Sequence, residues 1–248
     1  MGAVERDDVS GRSIMKARTL VFIICSPAGR VGKSMVARLL GDYFLATNRS
    51  FFGFDTDPHE PVLAARFPQQ VIVSDLTTVP GQMALVDPLL VNDEIPKIID
   101  LWHRSMEGFF TLVDQTDFIA EAVNAGIEPV FFFIADASTR SLDAATRLAA
   151  RYPEQQMIVV ENAGAAPLSR DQLARYPAHR IFKVGALDPV LRNAIEDPGF
   201  SLSRFMLAPP SNMSIVVRSG VRDWLARIFS QLRSFELRLA LEQAEHLG

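Results

Sequence analysis

The most restrictive feature of the sequence is the passage from "TLVFIIC" (Thr19–Cys25) through "SPAGRVGKS" (26–34) into a helical pattern. An apolar run without polar alternation, rich in β-branched residues, marks a strand covered on both faces. Such a strand needs a layer above it and a layer below. The segment 32–46 supplies the first covering helix, with Val36, Leu39, Leu40 and Phe44 on one side.

The same alternation recurs along the chain. Short apolar runs end in acid or amide at 50–55, 70–75, 95–100, 128–136 and 156–162, and another run spans 180–185. Pro96 gives the 95–100 strand a late start, because proline cannot donate to a ladder. Between the runs, 103–125 reads as one long helix with Gly126 at its C-terminal cap, and 138–151 as a helix capped by Ser138 or Thr139. A last helix spans 217–245. This order predicts an α/β fold: a mostly parallel, twisted sheet with helices on both faces. Ligands of such sheets bind beyond the carboxyl ends of the strands. That rule singles out 26–34, Asp55 to Asp57, Asp75, Asp100, Asp136 and Asn162.

Composition sets outer limits. Of 248 residues, 48% are hydrophobic and 22% charged, a globular balance. A formal charge of −4 gives no global attraction to nucleic acid. The single cysteine, Cys25, excludes an internal disulfide and a Cys-rich zinc site and suits a reducing, cytoplasmic compartment. His59, His103, His179 and His246 lack metal-ligand spacing. Residues 1–18 are polar and mixed in charge, the pattern of a disordered tail rather than a signal peptide. Met1-Gly2 opens like a myristoylation site, but Arg6 stands where Ser or Thr is required. The expected organisation is this tail, a nucleotide-binding domain over 19–216, and a C-terminal amphipathic helix over 217–248 packed on it.

The loop carries the chemistry. Between a buried strand and a helix start, several backbone N–H groups can be aimed at one anion, aided by the helix dipole. Gly29 and Gly32 permit backbone angles closed to other residues and a close approach to phosphate. Lys33 is placed to reach the β- and γ-phosphates, and the Ser34 hydroxyl to ligate Mg²⁺. A glycine-rich turn with a capping serine would leave unexplained a cation in the first helical turn, where the dipole disfavours it.

The stretch "AGRVGKS" (28–34) resembles the deviant Walker A loop of the ParA/MinD family, usually KGGVGK followed by Thr or Ser. The resemblance covers 19–230, but only 28–34 and 54–58 are specific. It tolerates Pro27, and it implies ATP and Mg²⁺ as ligands, with contacts from Pro27, Ala28, Gly29, Arg30, Val31, Gly32, Lys33, Ser34 and Met35. It also implies slow ATP hydrolysis coupled to a nucleotide-dependent homodimer. Two positions depart from the pattern. Ala28 replaces the lysine that crosses the family's dimer interface, and Arg30 replaces the second glycine. Arg30 either supplies the missing cation as an arginine finger or is a solvated loop residue. The spacing of the later motifs is closer to the TraL/StbB-like branch of conjugation and plasmid-stability ATPases.

Three later positions fit the same resemblance. "FDTDP" (54–58) is similar to the family's D-x-D-P segment, with Asp57 placing the attacking water and the Mg²⁺ shell and Asp55 supporting it. The alternative is an Asp-Pro turn in which Asp57 caps local amides. For the Walker B acid, Asp100 is preferred to Asp75, because a long helix and the strong apolar run at 128–136 follow it. Asn162 matches the strand-end asparagine that reads the adenine edge, or is an ordinary turn residue.

On the last helix, Trp224, Ile228, Leu232, Phe235 and Leu239 recur at helical spacing among scattered arginines. A helix packed on the domain, a membrane-surface helix, and a DNA or dimer contact are the three readings, with Glu236, Glu242 and Glu245 diluting the cationic face. The expected function is a Mg²⁺-dependent ATPase switch in partition, conjugation or cell positioning. The alternatives are a non-hydrolysing nucleotide-dependent scaffold and a small-metabolite kinase on the same fold.

Overall fold

The computed structural model describes residues 18–177, 180–197 and 199–245. The disordered tail expected over 1–18 therefore falls, apart from Arg18, outside the described residues, as do His179 and His246. The first half of the chain runs β1 (Thr19–Cys25), α1 (Lys33–Ala46), β2 (Phe52–Asp55), α2 (Val62–Arg66), β3 (Val71–Val73), α3 (Val79–Leu89), β4 (Lys97–Asp100), α4 (Met106–Gln115) and α5 (Phe118–Asn124). The second half runs β5 (Ile127–Ile134), α6 (Thr139–Arg151), β6 (Gln156–Asn162), α7 (Arg170–Leu173), β7 (Arg180–Val184), α8 (Pro189–Glu196), α9 (Leu202–Leu207) and α10 (Ile215–Glu245).

The strands form one seven-stranded sheet in the order β3-β2-β4-β1-β5-β6-β7. Every pairing is parallel. The uninterrupted apolar runs are explained by the layering. Phe22, Ile24, Val130, Phe132, Ile158 and Val160 face one core, while Val21, Ile23, Phe131, Phe133, Met157 and Val159 face the other. Side chains alternate across a strand, so both parities of one strand must be apolar when both faces are covered. The first core is closed by α1, α9 and α10, and the second by α3, α4, α5 and α6.

The last helix is part of the first core. Val221, Trp224, Leu225, Ile228, Phe229, Leu232, Phe235 and Leu239 are buried. Phe235 meets Phe22 and Phe132 edge-on, and the Trp224 indole donates to the Gly185 carbonyl at 2.7 Å. The apolar stripe faces the sheet. Among the described residues, no helix is long and apolar enough to cross a membrane.

One expectation needs correction. The helix read over 103–125 is two helices, α4 and α5. The Thr116 hydroxyl donates back to the Leu112 carbonyl at 2.8 Å, and Asp117 adopts a left-handed φ of 48° that ends the run. The segment between β3 and β4 holds α3. Its cap is Thr78, which accepts the Gly81 amide, with Pro80 in the first turn.

A buried polar clamp fastens the C-terminal half to α1. Arg38 is 4% exposed and donates to the carbonyls of Ile195 (2.8 Å) and Phe200 (2.6 Å). Asp42, one turn on, lies 3.6 Å from the guanidinium and accepts the Ser203 amide at 2.8 Å. Burial lowers the arginine's pKa to about 10 and raises the carboxyl's, so each charge depends on the other. Replacing Arg38 with Met strands a buried carboxylate and two carbonyls. Urea unfolding of Arg38→Met should show a loss of about 3–5 kcal/mol, whereas Arg227→Met on the exposed side of α10 should cost less than about 0.5 kcal/mol.

Candidate nucleotide site

The site lies at the carboxyl end of β1, the strand in the middle of the sheet. In passing from β4 to β5 the chain steps over β1, so the loop after β1 is flanked by the ends of both. The 26–32 loop then runs into α1, whose first residue is Lys33. A Gly-rich loop between the central strand of a parallel sheet and a helix is the arrangement of a P-loop NTPase fold.

Gly32 enters α1 with φ 92°, a left-handed angle that L side chains rarely adopt. Space is closed there too: a Cβ on Gly32 would stand 2.1 Å from the Asn162 amide nitrogen. That amide donates to the Val31 carbonyl at 3.1 Å, and its oxygen accepts the Gly164 amide at 3.2 Å. Asn162 is thus buried at the end of β6 and braces the loop. This geometry places its amide on the loop backbone. Arg30 is also left-handed, with φ 59°, although it is not glycine. Glycine at this position in the usual motif has its physical reason in that angle.

Lys33 is buried and its ammonium donates to the Ala28 carbonyl at 2.7 Å, closing the loop on itself. Burial lowers its pKa, and the charge of Asp100 opposes that effect. Asp100 ends β4, in register with Ile24 of β1 on one side and with Asp55 of β2 on the other. It is 4% exposed and has its pKa pushed up to about 7 by burial, with Asp55 and Asp57 adding to the rise and the Ser34 hydroxyl and Lys33 opposing it. Asp75 lies past β3 at the sheet edge, where it accepts the Thr77 amide and hydroxyl. Of the two acids weighed for the Walker B position, Asp100 is the one that stands beside the loop.

The second acidic segment is braced locally. One Asp55 oxygen accepts the Leu63 and Ala64 amides that begin α2, and the other accepts the Asp57 amide. Asp57 accepts the His59 and Glu60 amides at 3.0 and 3.1 Å, which is the capping turn read as the alternative from the sequence. The Thr56 hydroxyl ties this segment to the end of β4, donating to the Asp100 carbonyl and accepting the Trp102 amide.

His103, which has no metal-ligand spacing, stands beside the loop. Its ring lies against Gly29, within 3.2 Å of where a Cβ would stand, and so walls the loop. Trp102 stacks edge-on with both His59 and His103, and Arg104 lies over the indole. Burial lowers the His103 pKa, and Lys33 and Arg104 lower it further. The signal in the sequence is Trp102, His103 and Arg104, which begin two residues after the acid that closes β4.

No family model and no curated protein sequence matches this chain. Among solved structures it is similar to a nucleotide-binding protein from Archaeoglobus fulgidus in complex with ADP, at 13% identity and TM-score 0.46, covering 72% of this chain and 85% of that one. It is also similar to the MinC:MinD cell division protein complex of Aquifex aeolicus, at 14% identity and TM-score 0.44, over 86% and 96% of the two chains. A fungal RNA kinase superposes with a TM-score of 0.32 at 12% identity, over 86% and 98%. At that level of identity and superposition none of them fixes an activity or a partner for this chain.

Gly32 offers a test of the loop geometry. Gly32→Ala should lower stability by about 2 kcal/mol or more. Asn162→Ala in the same chain should recover the steric part but not the backbone strain. A double-mutant cycle by thermal denaturation should therefore give a coupling of about 1 kcal/mol between the two positions. Additive effects would show that the amide does not pack on the glycine.

Proposed function

We propose that this chain is a Mg²⁺-dependent ATPase whose slow hydrolysis of ATP to ADP and phosphate switches a nucleotide-dependent homodimer and its hold on a partner. The observation that carries the reading is the meeting of Lys33, Ser34 and Asp100. An ammonium group, a hydroxyl and a buried carboxyl converge where a Gly-rich loop enters a helix. In this proposal the loop amides and Lys33 bind the phosphates, and Asp57 orients water at the mouth of the site.

The residues fit a magnesium ion. Mg²⁺ takes hard oxygen donors, uses one or two carboxylates and keeps several waters. Ser34 and Asp100 offer that set, with Asp57 nearby. The raised pKa of Asp100 marks a buried acid whose charge is under-compensated by Lys33. When bound, the ion would neutralise charge on the phosphate oxygens.

Arg30 is the residue suited to act across a dimer. It is exposed, and among the described residues it carries no hydrogen bond or ion pair. Left-handed strain at a non-glycine residue persists where surrounding structure or function offsets it. The second reading, a nucleotide-dependent scaffold that does not hydrolyse, draws on Ala28 and on the Asp57 Oδ1 that already accepts two amides.

Calorimetric titration with ADP and Mg²⁺ should give saturable binding, weakened about tenfold to a hundredfold in Lys33→Ala. Wild-type affinity in that variant would remove the basis of the proposal. Arg30→Gly should raise stability by about 1 kcal/mol through relief of the left-handed strain, yet slow single-turnover phosphate release with ADP binding unchanged. Release unaltered by that change, or absent from the wild-type protein, favours the scaffold.

A further inference from the structure

A cavity of about 950 Å³ opens beside the phosphate loop, between the segment that leads into α4 and one face of α6. Pro27 of the loop and His103 form the wall it shares with the nucleotide site. Its lining is unusual in charge. Arg104, Arg140, Arg147 and Arg151 all reach it, with Glu107 as the acid among its lining residues. Arg140, Ala144, Arg147, Leu148 and Arg151 recur at three- and four-residue intervals, so one helical face carries both the cations and a small apolar floor.

The arginines are not equally committed. Arg151 is held by the Asp114 carboxylate and the Phe110 carbonyl, each at 2.9 Å, and Arg104 lies over Trp102. Arg140 and Arg147 are exposed and, among the described residues, form no hydrogen bond or ion pair. Their charge is felt inward: Arg140 contributes to the lowering of the His103 pKa. Gathering guanidinium groups around one concavity costs repulsion that a bound anion offsets. Met106, Phe110, Ala144 and Leu148 give the lining an apolar part. A volume of this size is at the upper end for small-molecule sites, which combine an apolar wall with a few placed polar groups.

We propose that this cavity is a binding site for a small organic anion, a compound carrying phosphate or a comparable group on an apolar or aromatic body, held by Arg140 and Arg147 with its body against Phe110 and Leu148. Nucleic acid fits less well. A polyanionic strand is tracked by cations along an open groove, whereas these cations surround a pocket with an apolar floor in a chain of net charge −4. The site goes beyond the ATPase reading and does not require it, since none of the residues that hold the anion is a phosphate-loop residue. Its position places a second ligand next to Pro27 and His103, and so next to whatever the loop binds.

The test uses the full chain and 1-naphthyl phosphate as the probe, with the loop first saturated by ADP and Mg²⁺ and, separately, in the Lys33→Ala variant. Naphthyl fluorescence should report saturable binding in both cases. Arg140→Ala combined with Arg147→Ala should weaken it by about tenfold or more, and the corresponding lysine variants should restore part of it. Both positions are exposed, so thermal denaturation should show folding unchanged. Binding of 1-naphthol should be weaker than that of the phosphate. Equal binding of the two compounds, binding insensitive to the arginine pair, or binding lost in Lys33→Ala would each overturn the site. Binding of single-stranded DNA that depends on the pair while the naphthyl probe fails to bind would overturn it in favour of a nucleic-acid surface. Failure of ADP to bind leaves the naphthyl measurement in the ADP-free protein decisive by itself.

Discussion

The arrangement of Lys33 beside Asp100 depends on register. Asp100 stands level with Ile24 only because β4 and β1 pair in parallel at that offset, and Asp55 is level with it on the far side. A shift of one residue would turn each of these side chains to the opposite face of the sheet. Two cores hold the register, because every strand near the site is apolar on both sides. Burial then decides the electrostatics. The same desolvation that lowers the lysine's pKa raises the aspartate's; Asp100 opposes the first effect, and Ser34 and Lys33 oppose the second.

The loop itself is shaped by two different devices. At Gly32 an absent side chain meets both the backbone angle and the amide of Asn162, so the end of β6 becomes part of the loop's support. At Arg30 the chain accepts a left-handed angle without glycine's help. The cost, roughly 1–2 kcal/mol, is borne by a packed fold in exchange for a guanidinium at the rim. These two positions are two residues apart and obey opposite logic. One is constrained by what surrounds it, and the other projects into solvent.

Much of this was legible in the sequence because it depends on local chemistry. The two-sided strands, the late start of β4 after Pro96, the Ser138 cap, which accepts the Ser141 amide, and the loop between β1 and α1 all follow from residue type and spacing. The break between α4 and α5 was not legible: "QTDF" has no glycine or proline, and the stop comes from a hydroxyl that bonds back and an aspartate in a rare angle. The double use of Asn162 was hidden for another reason. An asparagine before a turn looks the same whether its amide faces a ligand or a carbonyl 131 residues away. His103 was hidden because a lone histidine has no spacing to read, and only the fold brings it against Gly29.

The charges nearest the loop are unevenly placed. Asp55 and Asp100 end β2 and β4, with Asp57 just after, on one side of β1, while Arg140, Arg147 and Arg151 lie on the helix that follows β5, on the other. The division is not strict, because Arg104 joins these arginines from the segment after β4 and Asp136 stands just after β5. Net charge is blind to this placement, since −4 over 248 residues averages the two signs away. Screening makes the local pattern the one that matters: at physiological salt, charges farther apart than about 8 Å interact weakly. A ligand at the carboxyl end of the sheet therefore experiences the groups nearest to it rather than the net charge.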